Sequence, residues 1–191
     1  MDLNEHAGPA PTEDEVIGAG AELGRRLEAV GLMAVTAESC TGGLVARALT
    51  ETAGSSAWFE RGFVTYSNDA KHELLGVDEA TLRAYGAVSE PVALEMARGA
   101  LARSRAGIAL SLTGIAGPSG AVPDKPVGTV SFGWALRAPG LGTDAPPVLR
   151  VQTVRLPGDR AAVRRGAARH ALVVALGLLE AELEDRPPVG C

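Results

Sequence analysis

The chain has 191 residues, a length that suits one domain with a full hydrophobic core. Its formal net charge of −5 excludes a general nucleic-acid binder, because such a protein needs a basic face. Hydrophobic residues make up 46% of the chain and aromatic residues only 4%. We therefore expect a core of Ala, Val and Leu, as is typical of helices packed on a sheet.

Cysteine usage and hydropathy favour the cytoplasm. Cys40 and Cys191 are too few for a disulfide framework, which fits a reducing compartment. The first fifteen residues are acidic and polar and lack the apolar core of a signal peptide. No apolar run approaches the ~20 residues that a membrane helix needs. We expect a cytoplasmic protein with no membrane partner and no stable nucleic-acid complex.

Alternating helical and strand patterns predict an α/β fold. Residues 1–11 are expected to form a disordered lead and residues 185–191 a loose tail, which leaves one domain over residues 12–184. The predicted elements are, in order, a helix (12–30), a strand (32–36), a helix (42–50), a strand (59–67), two short helices (69–75 and 78–84), a helix capped by Ser89, strands at 106–112, 127–137 and 147–156, and a last helix ending near 184. This order predicts a three-layer α/β/α sandwich with a mixed sheet of about five strands.

A polar turn joins the first predicted strand to the second helix, in the sequence VTAESCTGGL. Its members are Ser39, Cys40, Thr41, Gly42 and Gly43. Small residues let a ligand approach the backbone, and the free amides at a helix start favour negative charge. A hydroxyl placed there can attack a carbonyl while the amides stabilise the oxyanion. The alternative is that Ser39 or Thr41 only caps the helix.

A serine hydroxyl needs a base to take its proton, and Lys71 is the candidate. A lysine acts as a base only if desolvation or a cationic neighbour lowers its pKa. Tyr66, between the two in sequence, could relay the proton or hold the geometry. The alternatives are a solvated surface lysine and a strand-end aromatic residue. Cys40 is a rival nucleophile, since a helix N-terminus lowers the pKa of a thiol, but no histidine is placed to assist it.

A Gly-rich loop, residues 113–120, follows the third predicted strand. If the first and third strands are parallel neighbours, this loop lies beside the Ser39 turn, where ligands of α/β sheets bind. Lys125, Arg160 and Arg164 are candidates to clamp a phosphate, although an Arg pair on a helix is usually a solvated face. The three histidines are scattered and no metal-binding spacing occurs, so we expect no metal centre.

Several motifs together resemble the CinA C-terminal family, the nicotinamide mononucleotide deamidases or nicotinamide-nucleotide amidohydrolases. They lie at residues 36–77 (TAESCTGG to HELLGV), 85–101 (YGAVSEPVALEMARGAL), 111–120 (SLTGIAGPSG) and 125–135 (KPVGTVSFGWA). The resemblance spans about residues 13–179. It implies an α/β/α fold, hydrolysis of the carboxamide of nicotinamide mononucleotide to nicotinic acid mononucleotide and ammonia, no cofactor, and a homodimer. Many relatives carry an extra N-terminal domain, so this chain resembles the stand-alone form.

By this resemblance, Ser39 is the nucleophile, assisted by Tyr66 and Lys71. The expected substrate-binding residues are Cys40, Thr41, Gly42, Gly43, Thr113, Gly114, Gly117, Lys125, Arg160 and Arg164. Amides near residues 40–43 would hold the oxyanion, and the ribose phosphate would bind the Gly-rich loop and one or more basic side chains. The resemblance also implies a functional arginine in the last-helix region, for which Arg164 is the first choice and Arg160 the second. Two other functions remain open: a non-catalytic nucleotide-binding module linked to competence or DNA damage, and an amidohydrolase for a related pyridine or purine nucleotide.

Overall fold

A five-stranded mixed sheet organises the protein. We describe it from a computed structural model that covers residues 9–137 and 146–184. The predicted tail, most of the predicted lead and most of the connection between the last two strands lie outside these residues. The strands are β1 (Ala34–Glu38), β2 (Phe59–Val64), β3 (Ile108–Gly114), β4 (Thr129–Leu136) and β5 (Val148–Arg155). The helices are α1 (Glu13–Ala29), α2 (Leu44–Thr50), α3 (Asn68–Leu75), α4 (Glu79–Tyr85), α5 (Glu90–Ala102) and α6 (Arg160–Glu184), with a 3-10 turn at Ser55–Ala57.

The strand order is β2-β1-β3-β4-β5, and β1 runs parallel to both of its neighbours. The register places Glu38, the last residue of β1, opposite Leu112 of β3 and Val64 of β2. The carboxyl ends of β1, β2 and β3 therefore meet at one edge of the sheet. The Gly-rich loop and the Ser39 turn leave this same edge, as expected if their strands are parallel neighbours. β4 and β5 continue the sheet in antiparallel fashion. The predicted α/β sandwich with a mixed sheet is confirmed.

Helices cover both faces of the sheet. One layer contains α1, α2 and α6, and its core includes the fully buried Leu23 and Trp134. The other layer contains α3, α4 and α5, with Met96 at its centre. The indole Nε1 of Trp134 on β4 donates to the Ala171 carbonyl of α6 over 3.0 Å, so its polar atom is satisfied inside the apolar core. This contact ties the longest helix to the sheet.

Two predicted strands are displaced. β1 and β3 each begin and end two residues later than the pattern indicated. The prediction stopped β1 at the last apolar run, whereas the strand continues to Glu38, whose charged side chain is fully buried. β2 ends at Val64 rather than residue 67, because Ser67 caps α3 by accepting a hydrogen bond from the Ala70 amide.

The packing of α1 on α2 generates a stability prediction. A Cβ added at Gly20 would lie 2.3 Å from the Ala48 carbonyl oxygen of α2, so Gly20→Ala must push the helices apart. We expect it to lower the free energy of unfolding by about 1–3 kcal/mol. Gly18 of the same helix has nothing within 4 Å of an added Cβ. Gly18→Ala is the matched control and should raise stability by about 0.4–1 kcal/mol. Urea unfolding followed by circular dichroism measures both, and equal midpoints would contradict this packing.

Candidate active site

Ser39 stands immediately after β1 and is fixed by two backbone contacts. Its amide donates to the Leu112 carbonyl of β3 over 3.0 Å, and its own carbonyl accepts the Gly42 amide over 3.1 Å. The resulting Ser39 turn (residues 39–43) needs positive φ angles of 60° at Gly42 and 96° at Gly43, which glycine adopts without steric cost. The Ser39 side chain is thereby held at the edge of the sheet, almost fully buried.

Lys71 brings a desolvated amine to the Ser39 hydroxyl. Its Nζ lies 3.1 Å from Ser39 Oγ and donates to the Thr65 carbonyl over 2.8 Å. The side chain is 1% exposed, so it is not a solvated surface lysine. Burial lowers its pKa from 10.5 to about 8, and the opposing charge of a Cys40 thiolate would offset this only in part. The neutral amine is therefore accessible near neutral pH and can accept the proton of Ser39.

Tyr66 lies at the solvent-exposed mouth of the site that contains Ser39 and Lys71. Its side chain is 59% exposed, and its hydroxyl accepts a hydrogen bond from Arg160 Nη2 over 3.0 Å. This contact goes to Arg160, not to Ser39 or Lys71. The geometry thus supports anchoring of Tyr66 at the mouth of the site, and it does not support a proton relay between the nucleophile and the amine.

Glu38 organises the Ser39 turn, and sequence reasoning missed it. The carboxylate is fully buried. Its Oε2 accepts the Thr41 hydroxyl at 2.7 Å and the amides of Gly43 and Val45 at 3.0 and 3.1 Å, and its Oε1 accepts the Ala46 amide at 2.8 Å. Its position in the sequence, at the end of a buried strand and directly before a candidate nucleophile, could have indicated this role. Glu is almost never fully buried unless it is paired.

These contacts settle which group caps α2. The N-cap position is Gly43, which has no side chain, and the Glu38 carboxylate bonds the first helical amides instead. Ser39 faces Lys71 and the Thr41 hydroxyl faces Glu38, so neither caps the helix. The amides of Gly43, Val45 and Ala46 are consumed, contrary to the expectation that the free amides at this helix start face a ligand.

Two amides of the turn remain available. The Gly42 amide donates to Ser39 and the Gly43 amide to Glu38. Within residues 9–137 and 146–184, the Thr41 amide has no acceptor, and the Cys40 amide faces only the sulfur of its own side chain, a weak acceptor. Of the four amides expected to bind an oxyanion, these two are free to do so.

Cys40 is poorly suited to nucleophilic attack. Its thiol is 5% exposed, and burial raises its pKa to about 11, helped by the charge of Glu38. The expectation that a helix N-terminus would lower this pKa fails, because burial outweighs the stabilisation of a thiolate by its own backbone amide, and the charge of Glu38 adds to the effect of burial. At neutral pH Cys40 is a protonated, space-filling residue.

Both candidate arginines reach the edge where the loops meet. Arg160 Nη1 donates to the Gly117 carbonyl of the Gly-rich loop over 2.9 Å, in addition to its contact with Tyr66. Arg164 Nη2 donates to the Thr41 carbonyl over 2.7 Å. Arg160 thus connects the Gly-rich loop to the β2–α3 segment, while Arg164 holds the Ser39 turn.

The other predicted binding residues act at the far side of the loop. The Thr113 hydroxyl donates to the Ala87 carbonyl over 2.9 Å, and Lys125 Nζ donates to the Tyr85 carbonyl over 2.8 Å. Both contacts join the loop region to the α4–α5 connection and not to Ser39. Gly114 lies in β3, where a Cβ would come 2.8 Å from the side chain of Val130.

The described part of the chain offers neither a metal-binding cluster nor a membrane-spanning helix. There, no group of three or more His, Cys, Asp or Glu side chains is arranged to hold a metal ion. Among the same residues, no helix combines the length and apolar character needed to cross a membrane.

Comparison with known proteins agrees with this architecture. Residues 18–179 match the family model for the CinA C-terminal domain. A nicotinamide-nucleotide amidohydrolase PncC of Enterobacter agglomerans is 56% identical over 157 residues, which cover 81% of this chain and 90% of that protein. The PncC of Escherichia coli strain K12 is 53% identical over 161 residues, or 84% of this chain and 93% of that protein.

A solved structure extends the similarity to the fold. The crystal structure of competence/damage inducible protein CihA from Agrobacterium tumefaciens superposes with a TM-score of 0.79 at 43% identity. The match covers 93% of this chain and 99% of that one. On the family model, the two relatives and this structure, the chain belongs to the CinA C-terminal domain family.

Proposed function

We propose that this protein hydrolyses the carboxamide of nicotinamide mononucleotide to nicotinic acid mononucleotide and ammonia, as a step of pyridine nucleotide salvage. The observation that supports it most is the buried Lys71 amine 3.1 Å from Ser39 Oγ, a pairing that activates a serine for attack on an amide. The identity of the proposed substrate comes from the relatives named as nicotinamide-nucleotide amidohydrolases, which are 53–56% identical to this chain.

The proposed reaction proceeds through an acyl-enzyme. Neutral Lys71 takes the proton of Ser39 as Oγ bonds to the amide carbon, and the amides of Cys40 and Thr41 receive the oxyanion. The Lys71 ammonium then protonates the departing nitrogen, and ammonia leaves as the C–N bond breaks. Water attacks the ester, Lys71 removes a water proton, and that proton returns to Ser39 as nicotinic acid mononucleotide departs. Each step uses side chains of this chain and water.

Substrate binding is proposed at the mouth of the site. Arg160 is exposed and connects the Gly117 carbonyl to Tyr66, which places a cation beside the Gly-rich loop where the ribose phosphate would lie. Arg164 is less exposed than Arg160, and its Nη2 donates to the Thr41 carbonyl, which favours a role in holding the turn. Its buried Nε has no partner among the described residues and remains a donor that a ligand could use. Tyr66, anchored by Arg160, is proposed to position the nucleotide, not to relay protons.

An ammonia-release assay separates this proposal from its alternatives. The name of the Agrobacterium relative, a competence/damage inducible protein, keeps a non-catalytic nucleotide-binding module as the second candidate. Such a module would bind nicotinamide mononucleotide without releasing ammonia. A panel of pyridine and purine nucleotide carboxamides and amines identifies an amidohydrolase of different specificity. The predicted homodimer and cytoplasmic location stay predictions, which light scattering and cell fractionation test.

The first prediction concerns the nucleophile. Ser39→Ala should lower kcat by at least about 1,000-fold with the fold retained, because no other hydroxyl of the described residues bonds to Lys71. Cys40→Ala is the neighbouring control and should be much milder, since its thiol stays protonated. Ammonia release and circular dichroism measure the two effects. Retention of more than about a tenth of the activity in Ser39→Ala would place the nucleophile elsewhere.

The second prediction concerns the base. The acid limb of kcat/KM should report a pKa of about 8, where Lys71 loses its proton in the free enzyme. Lys71→Arg keeps the positive charge but cannot accept a proton near neutral pH, so it should be nearly as inactive as Lys71→Ala. Steady-state kinetics across pH test this. An active Lys71→Arg with only KM altered would show that Lys71 clamps the phosphate instead.

The third prediction follows from the cost of burying a base. The pKa of Lys71 is about 8 in the folded protein and 10.5 when solvated. Between these two pH values Lys71 therefore keeps its proton in the unfolded chain and has lost it in the folded protein. Stability therefore rises with pH across this window, and below pH 8 the buried lysine costs about 3 kcal/mol. Lys71→Met should raise the free energy of unfolding at pH 7, with a gain that shrinks towards pH 10. Urea unfolding of both proteins at the two pH values checks this, and a pH-independent difference would refute it.

A further inference from the structure

We propose that Glu38 is a positioning residue: its carboxylate holds the Ser39 turn in the shape that nucleophilic attack requires. The inference rests on the proposed function, because it gives Glu38 a role in the reaction of Ser39. Glu38 lies directly before the nucleophile and is fully buried. Its side chain meets neither Ser39 Oγ nor Lys71 in any described contact, so it would act through the backbone.

The carboxylate spans the whole turn. Oε2 accepts the Thr41 hydroxyl and the Gly43 amide, within the turn, and the Val45 amide, in the first turn of α2. Oε1 accepts the Ala46 amide. All four partners are donors, so the site requires a group that only accepts. One rigid side chain therefore fixes the turn and the helix to the end of β1.

The main chain of Glu38 fixes the amine as well. Its carbonyl accepts the Thr65 amide over 2.8 Å, and the Thr65 carbonyl accepts Lys71 Nζ over 2.8 Å. Ser39 is attached to Glu38 by a peptide bond, and its hydroxyl lies 3.1 Å from the same Nζ. Glu38 thus helps to position both Ser39 Oγ, through the peptide bond, and Lys71 Nζ, through Thr65.

The same contacts select the oxyanion donors. By accepting the amides of residues 43, 45 and 46, Glu38 removes the start of α2 as an anion site. Within the described chain the Thr41 amide stays unpaired, and the Cys40 amide faces only its own thiol. Thr41 is held at its hydroxyl by Glu38 and at its carbonyl by Arg164, so its amide has a fixed direction. Donors fixed before the reaction stabilise developing charge without reorganisation.

A helix cap and a positioning residue predict different kinetics. A cap changes the fraction of folded enzyme and leaves the folded enzyme equally active. A positioning residue changes kcat and leaves substrate binding intact, because a displacement near 1 Å can cost about 100-fold in rate. The pH limb of Lys71 should not move in either case, since burial of the amine lowers its pKa.

Glu38→Gln is the direct test. Gln has the same shape, but its NH₂ group must face one of the four donors. We expect kcat to fall about 100-fold, KM to stay within about threefold, and the acid limb to stay near pH 8. Asp78→Ala is the matched control, because Asp78 caps α4 through the Ala80 amide and its removal costs about 1 kcal/mol. Asp78→Ala should keep the wild-type kcat even where its loss of stability equals that of Glu38→Gln.

A second pair of variants decides the matter if Glu38→Gln does not fold. Thr41→Val removes one donor to Oε2, whereas Thr41→Ser keeps it, so Thr41→Val should lose more kcat than Thr41→Ser. The rate of Ser39 sulfonylation by phenylmethanesulfonyl fluoride, followed by mass spectrometry, reports on the turn without the nucleotide. In that reaction Oγ bonds to sulfur, fluoride leaves and the proton passes to Lys71. Thr41→Val should be sulfonylated more slowly than Thr41→Ser.

The outcomes separate this inference from the proposed function. If Ser39→Ala is inactive while folded Glu38→Gln keeps kcat within about threefold of wild type, Glu38 is only a cap and the inference is overturned. Equal kcat and equal sulfonylation of Thr41→Val and Thr41→Ser overturn it too. If Ser39→Ala itself stays active, Ser39 is not the nucleophile, and the inference fails with the proposed mechanism. If the wild-type protein releases no ammonia, the proposed function fails.

Discussion

The desolvated amine of Lys71, held against Ser39 Oγ, is the constraint on which the rest of the site depends. Water must be kept from the amine to lower its pKa, and only a packed environment does this. Three separate elements supply it: the end of β1, the end of β2 and the first turn of α3. The Thr65 carbonyl gives the amine one fixed partner, and Ser67 begins α3 where Lys71 turns inward. Stability is given up for reactivity at this position.

The sheet topology explains why this pair can be assembled. Because β1 is parallel to β2 and β3, the segments that follow all three strands leave the same edge. Arg160 then joins the Gly-rich loop to Tyr66, and Arg164 joins α6 to the Ser39 turn. Thr113 and Lys125 secure the opposite side of the loop to the α4–α5 connection. Two predicted binding residues are therefore engaged in holding the loop.

Glu38 changes the electrostatic picture of the turn. A bare helix start would attract an anion and favour a thiolate at Cys40. A buried carboxylate bonded to the same amides opposes both effects, which agrees with the raised pKa of Cys40. The turn then distinguishes two adjacent side chains: Ser39 meets a base, and Cys40 stays protonated in an apolar pocket. The reactivity of the Ser39 turn therefore depends on which backbone amides Glu38 already binds.

The sequence by itself determined the fold class, the order of elements and the motifs at residues 36–77 and 111–120, because apolar periodicity and turn residues act locally. It also indicated Ser39 and Lys71, although their spacing could not exclude a surface lysine. Only the tertiary structure decided that Lys71 is buried beside Ser39, that Tyr66 binds Arg160, and that Glu38 occupies the amides of α2. Desolvation and hydrogen-bond competition depend on what packs around a group. Lys71 lies 32 positions from Ser39 in sequence, and Arg160 lies 94 positions from Tyr66. Glu38 is only five to eight positions from the amides it binds, but a periodic pattern does not show that its carboxylate turns inward.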